Sequence, residues 1–228
     1  MKVDKINAYK EVFKNHLTIT QNYNELYKYE CLQNFQTHWD LGALDLKTVY
    51  DKSYSSNISG RLWGGSTNSP KSIMLKFMDM DKEFVRSMFR DLYNEDKDLG
   101  MRINRFKFHC DQLLEKLQET EQQWNDHFHT DEEVALYLAF QYPKTYNLYN
   151  YGPFSIMMQR LELKNIPEDY QSERYFKLCK GLYTMLSKDE ELLELHRAKR
   201  ADEVYYGDNT MLMVHDYLLI CSQSPVLA

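Results

Sequence analysis

The sequence predicts a mainly α-helical, multi-helix fold in one or two lobes, with at most a small β element in the C-terminal half. Three observations lead there. Apolar residues recur at three- and four-residue spacing from Ile6 to Leu195, the period of one helix face. Glycine (8) and proline (5) are scarce among 228 residues, which disfavours a turn-rich β architecture. Period-two alternation is confined to Thr145–Tyr151, with weaker candidates at Glu203–Tyr206 and Leu212–Leu219.

Taken in order, Ile6, Tyr9, Val12, Phe13, His16 and Leu17 give a first amphipathic helix over 4–18. A second is expected over Tyr23–Thr37, burying Leu26, Tyr27, Leu32 and Phe35, with a break at Trp39–Gly42 and a short third helix at Leu44–Tyr50. Ser53–Pro70 is rich in Ser, Asn and Gly and reads as a long exposed loop. Pro70 then fits the first turn of a helix over Lys71–Met78 with Ser69 as its cap. Asp81 caps the next, with Phe84, Val85, Met88, Phe89 and Leu92 on one side, and Arg86 and Arg90 one turn apart on another.

Asp96 or Asp98 begins the longest helix of this half, running to about Glu119. It is expected to be central, burying Ile103, Phe106, Cys110, Leu113 and Leu117 while Arg102 and Lys116 face water. The acidic stretch Glu119–Asp131 is the nearest thing to a linker. It divides the chain into lobes at 1–118 and 132–228, unless the whole is one continuous domain. Beyond it come a helix over Glu132–Phe140 stopped by Tyr142-Pro143, a helix opened by Pro153 through Leu163, and a long helix from Glu168 to Arg200 with a break near Ser187.

A net charge of −6 argues against a chain coated for non-specific DNA binding, which would need a segregated basic face. Cys31, Cys110, Cys179 and Cys221 are far apart with no paired spacing, and read as free thiols of a reducing cytoplasm. The N-terminus is charged from the start. No apolar run approaches the roughly 20 residues that cross a bilayer, so no membrane association is expected. Tyrosine is abundant (18), which suits a partner or nucleobase contact surface but is better explained by codon bias in an AT-rich genome.

No catalytic constellation emerges, and neither an enzyme nor a cofactor is expected. His127-Phe128-His129, beside Asp126, Asp131, Glu132 and Glu133, has metal-like composition but no third His or Cys at fixed spacing. It reads as a solvated connector with Asp131 as a helix cap, and no metal is expected. The carboxylates from Asp79 to Asp98 fall mostly at helix ends, where they cap rather than hold two metals. Ser59–Ser66 is glycine-rich but lacks the Gly-Lys-Ser/Thr of a nucleotide-binding loop.

Several blocks together resemble the N-terminal region of McrB-like restriction proteins, which are linked to AAA+ ATPases. They are Tyr27–Glu30 with Leu32–Gln36 and Trp39-Asp40; Ser59–Arg61 followed by Pro70-Lys71, Met74 and Phe77; and Val85–Phe106, the most specific of them. The similarity resumes at Tyr137-Leu138, Tyr142–Lys144, Tyr146 and Tyr149, and extends through Leu192–His196 to His215–Tyr217. The resemblance implies a target-recognition module ahead of an AAA+ motor that works with a separate nuclease subunit against foreign DNA. The chain departs from the family by reaching Ala228 before any Walker or sensor motif.

The expected function is therefore non-catalytic recognition in a restriction or anti-phage system. Nucleic acid, DNA above all, would be met by Arg61, Trp63, Arg86, Arg90, Arg102 and Arg105, the arginines on phosphates and Trp63 stacked on a base. Intramolecular pairing of these arginines with Asp91, Glu95 and Asp98 is the competing reading. The alternative function is a protein-interaction or phage-trigger sensor, whose contact surface would be Tyr142, Lys144, Tyr146, Tyr149 and Tyr151.

Overall fold

Ten α-helices carry the chain, and no strand occurs among the residues that the computed structural model describes, namely 1–56, 58–63, 69–169 and 171–227. They are α1 (Val3–Ile19), α2 (Leu26–His38), α3 (Leu46–Ser53), α4 (Pro70–Leu92), α5 (Leu99–Gln118), α6 (Asp131–Gln141), α7 (Tyr151–Arg160), α8 (Ser172–Leu186), α9 (Glu190–Ala198) and α10 (Leu212–Gln223), with a 3-10 turn at Ser59–Arg61.

The caps explain most boundaries. Ser69 and Ser72 form a reciprocal box at the start of α4, each hydroxyl accepting the other's backbone N–H (3.2 and 2.8 Å), with Pro70 in the first position. The Asp81 side chain accepts from Phe84 N at 2.9 Å while its own backbone is non-helical (φ −153°, ψ 85°), so α4 is two helices joined at a kink. Asp98 accepts from Met101 N at 2.8 Å and starts α5. The expected break near Ser187 separates α8 from α9, where Asp189 caps by accepting from Leu192 N at 3.0 Å. One cap differs. Thr130, not Asp131, opens α6, through a box with Glu133.

Helix α5 packs on α4, α6 and α8 and buries Ile103, Phe106, Cys110, Leu113 and Leu117, as its stripe requires. Lys116 is exposed, but Arg102 is not. It is 3% exposed and belongs to the interior. In the second half, α10 lies against α1, α7 and α8, and α1 also packs on α9. Because α1 and α2 pack on α9, α10 and α6, one contiguous apolar core spans both sides of residues 119–131.

The alternating segments do not pair. Leu212–Leu219 lies in α10, where Leu212 to Leu218 are all buried. A helix enclosed on every side loses its amphipathic signature, which is why its period was illegible. Thr145 closes a turn, its N–H donating to Tyr142 O at 2.9 Å, and residues 146–150 form an irregular passage held by side chains: the Tyr175 hydroxyl donates to Leu148 O at 2.7 Å and accepts from Asn150 N at 3.3 Å.

Candidate functional site

The six residues expected to meet nucleic acid do not form one surface. Arg86 is 5% exposed, and its guanidinium donates to the carbonyls of Leu41 and Ala43 (2.8 Å to the latter) and pairs with Glu83 at 3.0 Å. It ties α4 to the bend after α2. Arg102 donates to Leu92 O at 2.7 Å, at the end of α4, and to the Tyr146 hydroxyl at 2.8 Å. Both are long cations that satisfy backbone carbonyls, at the bend after α2 for Arg86 and at the end of α4 for Arg102, a role open to arginine because its planar fork serves several acceptors at once. Arg105 is half-exposed and lies 3.2 Å from both oxygens of Asp91, which also pairs with Lys97; burial opposes, but these cations hold the Asp91 carboxyl below its usual range. The competing reading of pairing with Asp91 thus describes Arg105, whereas Arg86 divides its bonds between two carbonyls and Glu83, and Arg102 between a carbonyl and the Tyr146 hydroxyl.

Arg90 and Arg61 are exposed. Trp63 is 9% exposed with its ring 5.5 Å from that of Tyr54, so it sits in the aromatic core rather than on a stacking surface. Gly64, Gly65 and Ser66 of the glycine-rich loop lie outside the described residues.

The tyrosine-rich passage also turns inward. Tyr142 donates to Tyr93 O at 2.7 Å, Tyr146 to Glu95 at 3.0 Å, Tyr149 to Asp169 and Tyr151 to Pro167 O at 2.9 Å. Lys144 stands in water and pairs with Asp208 at 3.0 Å. These hydroxyls latch the passage to its surroundings, so hydrogen bonding accounts for most of the segment.

Sequence reasoning missed a buried polar cluster where α2, α9 and α10 meet. Lys28 and Asp216 are wholly buried and ion-paired. The other Asp216 oxygen accepts from the Tyr29 hydroxyl at 2.7 Å and from His196 Nε2 at 3.1 Å. Lys28 also pairs with Glu25 at 2.6 Å and lies 2.8 Å from His215 Nδ1, which must then accept and be unprotonated. Burial lowers the pKa of His196 and of His215, while the Lys28 charge and the histidine hydrogen bonds hold Asp216 well below the usual carboxylate range against its own burial. Glu25, His215 and Asp216 are close enough to surround a cation, and the Lys28 ammonium already contacts all three. Arg200 extends the cluster, donating to Tyr206 O (2.9 Å) and Asp208 O (2.7 Å) and covering the Tyr29 ring at 4.8 Å.

Over one side of this cluster lies a groove of about 280 Å³ lined by Asn22, Tyr23, Asn24, Tyr27, Arg61 and Tyr205. The Arg61 guanidinium rests 3.9 Å from the centre of the Tyr27 ring and donates to Asn24 O at 3.0 Å. A larger cleft of about 1280 Å³ between α5 and the starts of α6 and α8 carries both signs of charge; Lys107 pairs there with Asp131, while Asp169 accepts from the Tyr149 hydroxyl and Glu173 from Gly100 N–H.

The paired histidines of the connector gain a third neighbour. Cys110, buried on α5, has its sulfur within 4.8 Å of ring nitrogens of His127 and His129. His129 is 1% exposed, its Nε2 lies 2.9 Å from the Tyr137 hydroxyl, and its Nδ1 has no partner. Sequence spacing gave no sign of this, because the cysteine comes from a preceding helix that packs beneath the connector. No family model matches the chain, and neither does any curated protein or solved structure.

Proposed function

We propose that this chain is a non-catalytic recognition module of an McrB-like restriction or anti-phage system, and that it meets DNA through the Arg61–Tyr27 groove rather than along a basic helix face. The carrying observation is the stacked, solvent-exposed guanidinium of Arg61 beside the amides of Asn22 and Asn24 and the ring of Tyr205. A cation held over an aromatic ring supplies a phosphate contact and a flat surface for a base. The flanking amides offer donors and acceptors to its edge. With a net charge of −6, a small groove suits the protein better than a long electrostatic track.

The buried cluster supports this reading by stiffening the groove. Lys28 and Tyr29 follow Tyr27 directly, and Tyr29 O accepts from Tyr206 N at 3.0 Å, next to Tyr205. Recognition residues held this way lose little entropy on binding. By resemblance, an AAA+ motor and a nuclease subunit supply the hydrolytic steps. The sensor alternative has less to stand on, since the hydroxyls of Tyr142, Tyr146, Tyr149 and Tyr151 are committed internally.

Fluorescence anisotropy with single- and double-stranded oligonucleotides, plain and base-modified, tests the reading. Binding at low salt that Arg61→Glu or Tyr27→Ala abolishes is expected. No binding at low salt, or binding that both variants retain, overturns it.

A further inference from the structure

The geometry points to a zinc-class metal site formed by the Cys110 sulfur, a ring nitrogen of His127 and Nδ1 of His129. Cysteine sulfur with two imidazoles is a donor set for a tetrahedral transition metal of borderline softness, and it does not suit calcium or magnesium. The Cys110 sulfur and one ring nitrogen of each histidine lie within 4.8 Å of one another, so a modest closure brings three donors to bonding distance around one ion.

Two further features indicate a ligand. His129 Nδ1 is buried without any hydrogen-bond partner, a state that costs free energy unless something occupies it. The opposite ring nitrogen, Nε2, is 2.9 Å from the Tyr137 hydroxyl, which is itself 2.9 Å from the Tyr50 hydroxyl. A metal-binding histidine ordinarily donates its second nitrogen to such a partner, which fixes the tautomer and leaves the other nitrogen's lone pair for the ion. Tyr137 thus orients His129 as an outer-shell group orients a ligand.

His127 provides the route in. Its side chain is 12% exposed and its Nδ1 accepts from His129 N at 2.9 Å, so the nitrogen left for an ion is Nε2, which loses its proton and its contact with Asp111, 3.1 Å away, on binding. Asp111 follows Cys110 on α5 and is exposed, so it or a water completes the coordination. Binding releases the Cys110 thiol proton to solvent as the sulfur becomes a thiolate. The cluster differs from the one at Lys28, where an ammonium already neutralises the carboxylates. An ion here would pin the connector to α5 beside the start of α6.

Cobalt(II) titration of chelator-treated protein, followed by visible absorption, tests the site. The wild-type chain is expected to bind one equivalent with a tetrahedral-type spectrum and a thiolate-to-cobalt charge-transfer band that zinc then abolishes. Cys110→Ser should lose that band although Cys31, Cys179 and Cys221 remain. His127→Gln, at a partly exposed connector position that leaves the core intact, should weaken affinity at least tenfold. Tyr137→Phe should weaken it about 10–100-fold. Absence of cobalt uptake by the wild-type chain, or a band unchanged in both Cys110→Ser and His127→Gln, overturns the proposal.

Discussion

The ammonium of Lys28 on α2 and the carboxylate of Asp216 on α10 form an ion pair from which water is fully excluded, close to His196 and Tyr29. Two charges buried together are costly to create but far costlier to separate. Asp216→Asn leaves the Lys28 charge with Glu25 alone and should destabilise by about 3–5 kcal/mol. Adding Lys28→Met should then recover part of that loss. Urea unfolding of both single variants and the double variant gives the coupling, and additive effects would show that the pair contributes nothing specific.

Stability should fall as pH drops below neutrality. His196 and His215 have pKa values lowered by burial, so the unfolded chain takes up their protons first, from about pH 6.5 downward. Their contribution is complete above that value and is lost progressively below it. Asp216, depressed well below its ordinary range, loses its contribution only in more acidic solution, below about pH 4. Melting temperature should be level between about pH 7 and 8 and decline toward pH 5, with a shallower decline in His196→Gln. A flat profile to pH 5 would contradict the neutral state assigned to the two histidines.

Arg102 and Arg105 lie on one helix yet should behave oppositely. Arg102→Ala removes two buried hydrogen bonds and leaves Leu92 O without that donor, a loss of roughly 3 kcal/mol. Arg105→Ala breaks a half-exposed pair with Asp91 and should cost about 0.2–1 kcal/mol. Equal losses on chemical denaturation would mean that Arg102 is not the internal tie described.

Leu113→Ala should cost about 2–5 kcal/mol, since the residue is 2% exposed on the buried face of α5. Phe108→Ala, on the same helix but 56% exposed, should stay within about 0.5 kcal/mol. A near-neutral Leu113→Ala in thermal unfolding would make α5 peripheral.

Local chemistry was legible in the sequence. The caps Ser69, Asp81 and Asp98 and the stripe Ile103–Leu117 act over a few residues, and those spacings survive folding. Side-chain direction was not. Arg86 and Arg102 sit on faces that read as polar, but their reach brings the guanidinium to carbonyls at the bend after α2 and at the end of α4. The buried pair Lys28 and Asp216 joins residues near opposite ends of the chain, and no local pattern encodes such a pairing. Cys110 was recognised as a core position, but its proximity to His127 and His129 depends on how the connector lies over α5.

The salt dependence of DNA affinity tests recognition through the Arg61 groove most directly. Because the inward arginines are spent on carbonyls, only one or two phosphates should be neutralised, giving a slope of log K against log salt of about −1 to −2. Arg61→Glu should remove most of the binding. A slope of about −6 that persists in Arg61→Glu would reveal a broad basic track, and would contradict the account.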